Sequence, residues 1–174
     1  MGTFGNTTAE TGSNAGLDNF KVAGKFTLSE AGAVSKLTAR YSNGASACAI
    51  KGFICANNAG SPGALLGTTN EVAVAANATA DFRDLAFASA INLTAADYWL
   101  GIIGNDNATG FDLKFAASGG NMAYKSDTYS DGASDPFGTP LGTDVAKFAI
   151  YATYTTGGGA TISIPLLNNL LLGD

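Results

Sequence analysis

Histidine is absent from all 174 residues. Its absence removes the Ser-His-Asp triad, the Cys-His dyad, the imidazole general base and the histidine metal ligand. Charge is scarce as well. Nine Lys+Arg and 14 Asp+Glu make up 13% of the chain, about half of the roughly 25% usual in soluble domains. The net charge of -5 and a pI near 4.5 supply no basic stripe to neutralise phosphates, so no nucleic-acid partner is expected. No apolar run approaches the roughly 20 residues that a membrane-spanning helix needs. The opening residues, Met1-Gly-Thr-Phe-Gly-Asn-Thr-Thr8, have neither the basic nor the apolar segment of a secretory leader. Synthesis in a cytoplasm without a signal peptide is therefore expected, and the Asn-x-Ser/Thr sequons at Asn6, Asn77, Asn92 and Asn107 read as chance.

Cysteine is limited to Cys48 and Cys55. In one extended strand these would stand about 23 Å apart on opposite faces, beyond disulfide reach. They read as two small hydrophobes. Proline is also rare, with four in the chain, whereas glycine is abundant at 23.

What the chain does contain is alternation with period two, the pattern of half-buried strands. Phe20, Val22, Gly24, Phe26 and Leu28 share one face, and Lys21, Ala23, Lys25 and Thr27 the other. The same alternation recurs at Leu37/Ala39/Tyr41, Ile50/Gly52/Ile54, Val72/Val74, Leu85/Phe87, Leu100/Ile102, Phe111/Leu113/Phe115 and Phe148/Ile150/Ala152/Tyr154. Lysines and arginines on the outward parity suggest sheets wet on one side. Turn residues separate the runs, as in Ser42-Asn43-Gly44, Asn57 to Gly63, Asn105-Asp106-Asn107 and Ser118 to Asn121. No segment sustains a 3.6-residue period. The expected fold is all-β: an antiparallel, jelly-roll-like β-sandwich of eight or nine strands over residues 1–155.

Residues 156–174 differ. Gly157-Gly158-Gly159 forms a hinge, followed by Ile162, Ile164, Pro165, Leu166, Leu167, Leu170, Leu171 and Leu172. Such a tail requires a covering surface. It either folds back on an edge of its own sandwich or docks on another subunit, adding a strand through Ile162 and Ile164 and burying the leucines. Docking on another subunit is the preferred expectation.

For catalysis without histidine a carboxylate pair remains, but Asp81, Asp84, Asp127, Asp131 and Asp135 are scattered, so no enzyme is expected. The stretch Ser126 to Gly138 is the densest polar cluster. Its Asp127, Asp131 and Asp135 have oxygens suited to calcium, although the four-residue spacing is not that of an EF-hand. The plainer reading makes them turn formers, with no cofactor. Aromatics open a carbohydrate reading, with Tyr129 and Phe137 as candidate glycan contacts beside the aspartates. Adjacent Tyr98 and Trp99 must face opposite ways on a strand.

Four blocks carry a family resemblance: Phe26 to Ala39, Gly60 to Val72, Ala96 to Ile102 and Ser126 to Gly138. Together they resemble a β-sandwich module, jelly-roll or carbohydrate-binding-module-like, that recurs in bacteriophage virion proteins and in some secreted bacterial surface proteins. The resemblance spans roughly Gly5 to Tyr154. It implies display, adhesion or structural decoration and brings no catalytic residue. The missing leader favours a virion component, a capsid decoration or fibre-like subunit on the virion surface. Its partners would be capsid or tail proteins and its own copies, in a closed homo-oligomer such as a trimer. A carbohydrate-binding adhesion module is the alternative.

Overall fold

The computed structural model describes residues 1–13, 16–105 and 107–157. Alternation becomes strand wherever one parity is apolar enough to be buried. In chain order these are β1 (Gly2–Gly5), β2 (Phe20–Leu28), β3 (Gly32–Ser42), β4 (Cys48–Asn58), β5 (Ser61–Thr68), β6 (Val72–Val74) and β7 (Asp81–Leu93). There follow β8 (Ala96–Gly104), β9 (Asp112–Leu113), β10 (Phe115–Ala116), β11 (Met122–Ser126), β12 (Gly142–Asp144), β13 (Lys147–Phe148) and β14 (Ile150–Thr156). The first sheet has the order β1-β14-β3-β7, with β9 beside β3. The second has the order β12-β11-β2-β8-β4-β5, with β6 beside β4, and β10 pairs with β13. All pairings between these strands are antiparallel.

Eight strands carry the architecture: β1, β14, β3 and β7 face β2, β8, β4 and β5. Apart from the β4–β5 hairpin, each successive principal strand lies in the opposite sheet. This is the strand order of a jelly roll, as the sequence leads one to expect. The core joins both inner faces, with Val22, Leu28, Ile50, Ile54, Leu100 and Ile102 meeting Val34, Leu37, Leu85, Phe87, Ile150 and Ala152. Gly52 lets the sheets approach. A Cβ there would lie 3.0 Å from Leu37 Cδ1 and 3.2 Å from Leu85 Cδ1.

Three local expectations change. The turn expected over Asn57 to Gly63 is only two residues long: Ala59 and Gly60, with φ of 49° and 90°, close a hairpin in which Asn58 pairs with Ser61. Pro62 is then tolerated because β5 is an edge strand. The run Phe111/Leu113/Phe115 is broken. A 3₁₀ turn at Ala108–Gly110 precedes β9 and β10, which pair with different partners, β3 and β13. Finally, the lysine-bearing face of the second sheet is not wet along its middle. A second apolar cluster lies there, with Ala23, Phe53, Cys55, Trp99, Ile103 and Ala123 beneath Tyr129, Ala133 and Phe137. The segment after β11 forms a roof over this face, so the sheet is buried on both sides.

Candidate functional site

The roof is built from the polar cluster singled out in the sequence. β11 delivers the chain to Asp127, whose backbone N–H donates to the Asn19 carbonyl at 2.9 Å. Lys21, on the outward parity of β2, is fully buried. Its ammonium lies 2.7 Å from Asp127 Oδ2, donates to Ser134 Oγ at 2.6 Å, and sits 4.4 Å from the centre of the Phe137 ring. Asp127 Oδ2 also accepts the Ser134 N–H at 2.8 Å. Burial pushes the Asp127 carboxyl up, but the hydrogen bonds from Lys21 and Ser134 and the Lys21 charge outweigh it, so its pKa is depressed. Asp135 Oδ1 accepts the Leu65 N–H at 2.9 Å, and the Phe137 N–H donates to the Gly63 carbonyl at 3.0 Å. The roof is thereby fastened to β5. The bond between Asp135 and Pro136 is cis.

This arrangement bears on both readings of the cluster. Asp127 and Asp135 fasten the loop, while Asp131, in the 3₁₀ turn Tyr129–Asp131, accepts from Ser130 Oγ at 3.1 Å. Among the described residues no group of three or more acidic or cysteine side chains is placed to hold a metal ion. The glycan expectation for Tyr129 and Phe137 is corrected. Phe137 is fully buried and Tyr129 is 9% exposed, so neither ring offers a face to a sugar. Tyr129 is committed, donating from its hydroxyl to Glu71 at 2.9 Å with Lys51 4.5 Å from its ring centre. Burial, and then the Glu71 contact, raise the Tyr129 pKa. The physical reason is that an aromatic in a polar loop, laid over a sheet whose outward parity carries Phe53, Ala23 and Trp99, gains more from the sheet than from water.

The cysteines lie on one strand, β4, both buried and both free. Cys48 packs in the main core and Cys55 under the roof, on opposite faces as their odd spacing requires. Burial pushes the Cys55 thiol up to about 12 and raises Cys48 as well. Both stay protonated as packing groups. Ile162, Ile164, Leu166, Leu167, Leu170, Leu171 and Leu172 lie outside the described residues.

One concavity was not anticipated. At the open side of the sandwich a cleft of about 400 Å³ is lined by Leu17, Phe20, Val22, Phe115, Met122 and Tyr124, with Asp144 and Ala146 from the β12 side. Phe20, Phe115 and Tyr124 are only partly buried. Beside the cleft runs β12, the outermost strand of the second sheet, flanked by Leu141 and Val145, which are 64% and 56% exposed. The available signal in the sequence is two isolated aliphatics in the polar stretch Gly138 to Asp144 and its neighbour Val145.

Fold and surface together define the chain as an antiparallel jelly-roll module with a fastened roof and an apolar edge. No family model, curated protein or solved structure matches it significantly. Among the described residues no helix is long and apolar enough to cross a membrane.

Proposed function

We propose that this chain is a structural subunit of a bacteriophage virion, a capsid decoration or fibre-like protein. In this reading it displays the sandwich at the virion surface and joins neighbouring subunits through residues 158–174, in a closed homo-oligomer such as a trimer. The resemblance of the four sequence blocks supplies the virion setting. The observation that carries the assembly role is how apolar side chains are distributed. Among the described residues the two apolar clusters draw on positions from Phe4 to Tyr154, yet seven large aliphatics follow between Ile162 and Leu172. Side chains of that kind require cover, and an adjoining subunit provides it.

Deleting residues 158–174 is the test. The shortened chain is expected to keep its β-rich circular dichroism spectrum, to run as a monomer in light scattering, and to lose attachment to virion particles. A shortened chain that assembles and attaches like the full one overturns the reading.

A further inference from the structure

The tail needs a receiving surface, and resting on the assembly role just proposed, we infer that this surface is the β12 edge and the adjoining cleft of a second copy of this chain. β12 pairs with β11 on one side, matching Thr143 with Ala123 and Asp144 with Met122, and closes the sheet order on the other. An edge of this kind presents backbone donors and acceptors to an incoming strand. Large apolar side chains flank it on both faces. Thr143 shares its parity with Leu141 and Val145, both large and exposed, and with Val145 and Asp144 borders a hollow of about 430 Å³. The opposite parity, Asp144 and Ala146, lines the cleft with Phe20, Phe115 and Tyr124.

The occupant fits in pattern. Ile162 and Ile164 share one face of an extended segment, Pro165 ends its capacity to donate in a ladder, and leucines follow. Charge does not oppose the docking, because residues 158–173 carry none.

Reach favours a neighbour's edge over the chain's own. Thr156, the last residue of β14, pairs with Gly32. The cleft lies at the other end of β14, where the ring of Phe148 stands 6.4 Å from that of Phe115. From Ile150 to Thr156 the strand spans about 20 Å, and from Thr156 to Ile162 the chain, fully extended, covers about the same. Ile162 therefore regains the level of its own cleft only with every connecting residue extended, leaving no length to cross from the first sheet to β12 in the second. In a second copy no such limit applies, and head-to-tail exchange closes into a ring.

The test uses two full-length variants. L141K/V145K charges the exposed edge and leaves the tail intact; I162K/I164K charges the tail and leaves the edge intact. By light scattering on a sizing column, the unaltered chain is expected to self-associate and each variant alone to be a monomer. An equimolar mixture is expected to form a one-to-one pair, because an intact tail then meets an intact edge. If the unaltered chain associates and I162K/I164K does not, while L141K/V145K still does, the β12 receptor is wrong and the assembly role stands. Two monomeric variants that fail to pair also overturn the receptor. If I162K/I164K and the unaltered chain have the same mass, both the receptor and the tail's assembly role fall.

Discussion

Among the described residues, Lys21 and Asp127 form the one ion pair with a fully buried lysine, and the pair makes a sharp stability prediction. Removing one partner leaves an uncompensated charge under the roof, so Asp127→Asn should cost about 3–5 kcal/mol. Replacing both, as in K21M/D127L, should cost much less, because two apolar groups then fill the site. Urea unfolding of the three chains checks this. The pH dependence has a definite sign. The folded-state pKa of Asp127 is depressed, so the unfolded chain binds the proton more readily. The contribution is fully present above about pH 4, the ordinary carboxylate value, and is lost as pH falls through the lower folded value. Asp84, which burial raises but the Lys36 and Thr38 hydrogen bonds lower further, adds a second slope of the same sign. Asp127→Asn should flatten, without abolishing, the loss of stability below pH 4, measured as unfolding midpoint against pH.

At the scale of the element, the roof explains what was and was not legible in the sequence. The parity of β2 and β4 could be read residue by residue, because Val22 and Ile50 alternate with polar or small neighbours, whereas in β8 Trp99 beside Leu100 and Ile103 beside Ile102 make both parities apolar. What parity cannot supply is the medium on the far side. Lys21 reads as a wet residue until a loop from more than a hundred positions away covers it, and the sequence shows no pairing between Lys21 and Ser134. The same ambiguity sent Tyr129 and Phe137 to a sugar platform, since an aromatic flanked by aspartates has the same local sequence whether it faces solvent or a sheet. The roof should behave as a packed layer. Phe137→Ala removes a fully buried ring that stands 6.2 Å from Phe53 and should cost about 3–5 kcal/mol. Tyr129→Phe keeps the ring and loses only the Glu71 hydrogen bond, which should cost about 1 kcal/mol. Chemical denaturation tests the difference. Equal costs, or none for Phe137→Ala, would mean that the roof is not packed as described.

For the whole molecule, the decisive feature is where β14, the last of the described strands, goes. β14 enters the first sheet between β1 and β3, pairing Gly2 with Tyr154 on one side and Ile150 with Ala39 on the other. Alternation located this strand, but no local rule places it between β1 and β3; that follows from the jelly-roll path and the burial it permits. Two truncations eight residues apart should therefore differ in kind. A chain ending at Gly157 retains every pair in that ladder and should keep a cooperative urea transition, its midpoint lower than the full chain's only by what subunit association adds. A chain ending at Ala149 deletes Ile150 and Ala152, both fully buried, and Tyr154, 5% exposed. It also strips β1 of the strand it pairs with and exposes the edge of β3. Burial of a large apolar side chain contributes about 1.5–3 kcal/mol, and the whole fold of such a domain is stable by only about 5–15 kcal/mol. With Ile150, Tyr154 and the ladder gone together, the shorter chain should lose its dispersed amide NMR spectrum and its cooperative unfolding transition. If it keeps them, β14 is an accessory strand and the sandwich closes without it.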